Sequence, residues 1–155
     1  MRRASLLVAT LALAGCGYHF SQRYVAAGGV SRIDVRPFVN GSTEPELGAV
    51  VTSALRSELA RRGANGGEGS GAVLDGEVRA TEPALTATTG ATWRISVELR
   101  ARLVAGASPP VERTVRREED FLGGADPLET EGRRAVALRR AAEDAARDLL
   151  RALER

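Results

Sequence analysis

Hydrophobic residues change their period several times along this chain, and each change marks an element. In residues 93–103, Trp93, Ile95, Val97, Leu99, Ala101 and Leu103 alternate with polar residues, among them Arg94, Arg100 and Arg102. A period of two over that length predicts a strand with one face buried. A turn over residues 107–110 leads to a more polar strand over 111–121, and the two should pair as a hairpin. Residues 31–38 (SRIDVRPF) also alternate, with Ile33 and Val35 on one face. Pro37 places the end of that strand, or a sheet edge, at its position. Residues 72–80 (AVLDGEVRA) predict a further strand, interrupted at Gly76 and ended by Pro83. The small, Thr-rich stretch 85–92 reads as a loop.

Two segments follow the helical period. Thr43 and Glu46 have capping-box spacing, and Leu47, Val50, Val51, Ala54, Leu55 and Leu59 then form one apolar stripe that Gly63 stops. Asp126-Pro127 opens a second helix running to about Leu153, with Ala135, Leu138, Ala142, Ala145, Leu149 and Leu153 on one side. Glu143 and Arg147 are spaced as a favourable i,i+4 pair. The order β-α-β-β-β-α predicts an α+β fold: a four-stranded, mostly antiparallel or mixed sheet with two helices packed on one face. Residues 31–155 make one domain.

The amino-terminal stretch has a different character. Arg2 and Arg3 precede an apolar run, Leu6 to Leu13, and the small residues Ala14 and Gly15 come just before Cys16. This is the layout of a secretory signal. Eight helical residues rise only about 12 Å, against a hydrocarbon core of about 30 Å, so the run is too short to span a membrane. Leu13-Ala14-Gly15-Cys16 resembles the lipobox of bacterial lipoproteins. We therefore expect residues 1–15 to be a signal peptide and Cys16 to be the lipid attachment point. Residues 16–30 are expected to be a tether carrying Tyr18, Phe20 and Tyr24. Cys16 is the only cysteine, so it has no disulfide partner within the chain. Gly17 follows it where inner-membrane retention favours aspartate, which points to the periplasmic face of the outer membrane.

Composition narrows the chemistry. Without Arg2 and Arg3, the 22 basic and 20 acidic residues come into balance, which argues against a nucleic-acid partner. No lysine is present, so the Gly-rich stretch 63–71 lacks what a phosphate-binding loop needs and reads as a connector. His19 is the single histidine and lies in the tether. A histidine-rich metal site is thereby excluded, and a serine triad would have to draw on the tether. No enzyme activity, cofactor or metal is expected.

Four features together resemble a known family: Gly17-Tyr18-His19-Phe20 after the lipobox, Arg36-Pro37-Phe38 at the end of the first strand, residues 40–46 (NGSTEPE) before the helix, and the alternating strand from Trp93. They are similar to the LPS-assembly lipoprotein family, LptE, in a divergent, non-enteric form. The resemblance implies an outer-membrane lipoprotein that partners and plugs an LptD-type β-barrel for lipopolysaccharide assembly, with lipopolysaccharide itself as a further ligand. The family's lipopolysaccharide contacts use basic residues before the long strand and near the start of the final helix. Here residues 85–92 and 123–130 contain none. A second reading is a lipoprotein regulator of a peptidoglycan synthase, or an auxiliary component of an ABC transporter. Such proteins usually reach across the periplasm on a long linker, whereas this tether is short.

Arg94, Arg100 and Arg102 are the candidate surface for an anionic ligand or a partner. The plainer reading is a solvated sheet face with cross-strand partners such as Glu112 or Glu119. Trp93 is expected to anchor the core or the end of the sheet.

Overall fold

The computed structural model describes residues 24–88 and 90–154. They form strands β1 (Asp34–Val35), β2 (Val39–Asn40), β3 (Ala72–Ala80), β4 (Ala84–Ala87), β5 (Thr92–Ala105) and β6 (Val111–Leu122), with helices α1 (Leu47–Arg61) and α2 (Pro127–Leu153). The α+β class and the two helices on one face agree with the sequence pattern. The six strands occupy four rows. β1 and β2 both run parallel to β3, β3 and β4 both lie antiparallel along the same side of β5, and β6 lies antiparallel along its other side.

The expected first strand is split in two at Pro37, which has no N–H to offer β3. Arg36 still donates to Leu74 O at 2.9 Å, but the Phe38 amide turns away to Thr52 Oγ1 on α1, also at 2.9 Å. Thr52 in turn donates to Gly48 O at 2.7 Å, so the helix completes the hydrogen bonding where the strand breaks.

The expected loop 85–92 is corrected, because it contains β4. Ala84 pairs with Arg94 and Leu85 with Trp93, followed by a bulge before Ala87. All four β4 residues are exposed, so no buried-exposed alternation marks the strand in the sequence. The expected interruption at Gly76 is also absent, since β3 runs unbroken. A Cβ at Gly76 would lie 2.2 Å from Arg100 O and 2.8 Å from the Phe38 ring. The glycine is there so that Phe38 can lie against the sheet.

The capping box expected at Thr43–Glu46 does not form. α1 starts at Leu47 without a side-chain cap, and Thr43 Oγ1 reaches Glu82 Oε1 at 3.4 Å instead. Asn40 orders the approach, accepting from the Ser42 amide at 3.1 Å and donating to Glu44 O at 2.5 Å. A reciprocal cap forms at α2. Asp126 Oδ1 accepts from the Glu129 amide at 2.8 Å, while Glu129 Oε2 reaches back to the Ala125 amide at 2.7 Å. Further along α2, Arg147 pairs with Asp144 rather than with Glu143.

β5 supplies the centre of the core. Ile95, Val97, Leu99, Ala101 and Leu103 are buried beneath the helices. α2 meets them with the buried residues Ala141, Ala142, Ala145, Ala146, Leu149 and Leu150, and four alanines in that set let the helix approach closely. The inward positions of β6 include charged Arg113 and Arg117. Arg117 pairs with Asp148, and Arg113 Nε donates to Ala152 O at 2.9 Å. Inward-pointing charge on an edge strand discourages pairing with other chains. Tyr24 and Ala26, within the expected tether, are buried in the same core as the helices and sheet.

Gly76→Ala should lower stability by about 1–3 kcal/mol through overpacking. Gly132 is exposed on α2 with nothing within 4 Å of an added Cβ, and Gly132→Ala should raise stability by about 1 kcal/mol. Urea unfolding of both variants checks the contrast.

Candidate functional site

Arg94, Arg100 and Arg102 all lie exposed on the face of β5 turned away from the helices. The register brings acids to them from both neighbouring strands. Asp120 stands opposite Arg94, Glu77 opposite Arg100, and Arg102 lies between Asp75 and Glu112. Arg94 grips Asp120 as a fork, Nε to Oδ1 at 2.7 Å and Nη2 to Oδ2 at 2.9 Å, with Glu118 3.6 Å away. Arg100 Nε donates to Glu98 Oε1 at 2.8 Å. Of the two partners expected from the sequence, Glu112 stands in register with Arg102, but Glu119 lies opposite the inward residue Ile95 and joins none of these arginines.

This pattern sets the electrostatics of the open face. The hydrogen bond from Arg94 holds the Asp120 carboxyl below the usual carboxylate range, and Asp120 correspondingly raises the Arg94 guanidinium. Arg79 is raised in the same way by the hydrogen bond it donates to Glu77. An incoming phosphate would have to displace a carboxylate already seated on Arg94. The face alternates in charge, with Arg94 and Arg100 paired to acids and Arg102 set in register between Asp75 and Glu112.

Cys16 and His19 lie outside the described residues. Their nearest described neighbour, Tyr24, is fastened to the carboxyl end of α2. Its ring is 3% exposed, its hydroxyl donates to Leu150 O at 3.0 Å, and the Arg62 guanidinium sits 5.5 Å from the ring centre. Burial pushes the Tyr24 hydroxyl well above its ordinary value. Arg62 also pairs with Glu58 at 2.7 Å and with Glu154. Nothing in the period of the tether signals this docking, since a single buried aromatic has no repeat.

The opposite end of the domain is apolar. Leu85, Leu122 and Leu128 are 48%, 53% and 86% exposed. Beside them an open cleft of about 620 Å³ is floored by Phe121, Val136 and Ala137 and rimmed by Arg133 and Arg140. Trp93 packs there against the cluster of Ile95, Phe121 and Ala137, the sheet-end anchor expected of it. A second groove of about 500 Å³ runs between the helices over Ala49, Ser53, Ala54 and Ser57. Among the described residues there is no histidine or cysteine, and no three potential metal ligands come together.

A family model described as LptE, lipopolysaccharide-assembly, matches residues 30–153. Among solved structures, the chain is similar to rare lipoprotein B from Shewanella oneidensis, at 11% identity and a TM-score of 0.53 over 74% of this chain and 91% of that one. It is also similar to a minor lipoprotein from Acinetobacter baumannii, at 12% identity and a TM-score of 0.54 over 79% and 90%. At such identities the likeness is one of fold. A comparison with curated proteins finds no match.

Two carboxyls are held low, Asp120 by Arg94 and Glu129 by the Ala125 amide and then by Arg133. A depressed folded pKa adds stability that is present above the unfolded value and is lost as pH falls through the folded one. Both groups are exposed, so the effect is small and weakens with salt. Asp120→Asn should lower the thermal midpoint slightly at neutral pH and leave it unchanged at about pH 2, as a pH series of melting curves would show.

Proposed function

We propose a partner role at the outer membrane for this chain, which belongs to the LptE lipopolysaccharide-assembly family over residues 30–153. In this reading Cys16 carries the lipid, the domain stands on the periplasmic face, and it seats in an LptD-type β-barrel as a non-catalytic plug. The observation that carries the proposal is the extent of the family match, which takes in almost the whole folded domain. Two physical features support it. On the open sheet face Arg94 is paired with Asp120 and Arg100 with Glu98, which suits a broad protein surface. Leu85, Leu122 and Leu128 are exposed, and exposed apolar residues of this size mark contact surfaces.

Lipopolysaccharide would then be handled mainly by the complex. Direct binding through Arg94, Arg100 and Arg102 would have to compete with carboxylates of the same face. The carboxylates on Arg94 and Arg100 favour a barrel surface over lipid phosphate as the partner of this row.

The test is recovery of the full, processed chain from detergent extracts of its own host. One large β-barrel protein should co-purify in near-equal amount. Recovery of peptidoglycan synthases or transporter subunits in its place would overturn the proposal. Intact mass should show acyl groups on a chain beginning at Cys16, and Cys16→Ser should release the protein into the soluble fraction.

A further inference from the structure

We propose that the cleft between the end of β6 and the first half of α2 receives an extended segment of a partner protein, which adds to β6 as a further strand. The proposal stands on the fold and does not depend on that partner being a β-barrel.

Among the described residues β6 is paired on one side only, with β5. Its register there runs without a shift from Val111 to Leu122, and the Gly123 amide donates to Ala91 O at 2.9 Å where the ladder ends. Bonded and non-bonded positions alternate along an antiparallel ladder. Odd-numbered residues of β6 therefore turn their main-chain groups to β5, while Glu118, Asp120 and Leu122 turn theirs to the open edge. The side chains of Glu118 and Asp120 pair with Arg116 and Arg94 on the sheet face rather than across that edge. The two halves of β6 then differ. Along the first half α2 closes against the strand, with Arg113 Nε donating to Ala152 O at 2.9 Å and Arg117 paired to Asp148. These inward charges guard the edge there. Along residues 118–122 the helix leaves the cleft of about 620 Å³, floored by Phe121, Val136 and Ala137. Glu119, the inward charge of this half, lines the open cleft. Gly132 lines it from the helix side, where an added Cβ would meet nothing within 4 Å.

The occupant follows from the two walls. One is a row of main-chain donors and acceptors about 7 Å apart, which another main chain in extended form matches. The other is apolar and admits the alternate side chains of such a strand. An acyl chain would leave the edge unpaired, and a helix has its main-chain groups already bonded within itself. Charge does not select a different ligand, since Glu119 and Glu129 stand in the same cleft as Arg133 and Arg140. The segment is therefore apolar where it crosses Phe121, and it needs no net charge.

The test reads amide hydrogen exchange residue by residue in the full, processed chain, alone, with a synthetic peptide of alternating threonine and valine, and with the protein that co-purifies with it. Binding should slow exchange at Glu118, Asp120 and Leu122 by at least about tenfold, and leave Glu119 and Phe121, already bonded to β5, unchanged. Gly132→Leu fills the cleft from an exposed helix position, and Val136→Asp puts a charge on its floor. Both should abolish the slowing, while melting curves show Gly132→Leu to be at least as stable as the parent chain. Equal slowing at odd- and even-numbered residues, slowing undiminished in both variants, or no slowing with either peptide or partner would overturn the proposal. Slowing that develops in the chain alone, together with a doubled mass, would give the edge to a second copy and overturn it as well. The alternation found with a partner other than a β-barrel would uphold this site and sink the barrel reading. A co-purified barrel that leaves residues 118–122 unchanged would do the reverse.

Discussion

The two-residue period of β5 is the constraint on which the rest of this structure depends. Five of its inward residues are buried, and every other row is arranged to keep them so. β3 and β4 share one of its sides and β6 covers the other, which leaves its inward face to the helices. Shifting the pairing by one residue would bring Arg94, Arg100 and Arg102 into the core, and the cost of burying such charges fixes the register. The same alternation produces the arginine row on the open face. The core and the candidate contact surface are therefore two sides of one pattern.

α2 answers that pattern with small residues. Its buried alanines bring the helix close to β5, and its cap at Asp126 fixes where it starts. Arg134 ties it to the approach to α1 through Glu44, and Arg62 ties its far end to the close of α1 through Glu154. The two helices are thus fastened to each other at both ends. Between them lies the open groove over Ala49, Ser53, Ala54 and Ser57.

Long, strongly periodic segments were legible in the sequence: β5, its hairpin with β6, and α2 from Asp126 to Leu153. Elements held by position rather than by period were not. β4 is exposed throughout and is recognisable only by its pairing with β5. The break at Pro37 was readable, but not that Thr52 would take over the Phe38 amide. Gly76 looked like an interruption because its reason for being glycine, the ring of Phe38, lies far away in sequence. Tyr24 joins the domain through Leu150 and Arg62, contacts that no local pattern announces. The arginine row was predictable, and its neutralisation by Asp120 and Glu98 followed only from the register and rotamers.

Over residues 30–153 the chain belongs to the LptE lipopolysaccharide-assembly family, and the proposed role there can be tested in the cell. The most direct test is to deplete this chain in its host and measure lipopolysaccharide at the cell surface. Surface lipopolysaccharide should fall while newly made lipopolysaccharide accumulates inside the outer membrane. Unchanged surface lipopolysaccharide accompanied by altered peptidoglycan cross-linking would contradict the proposed role.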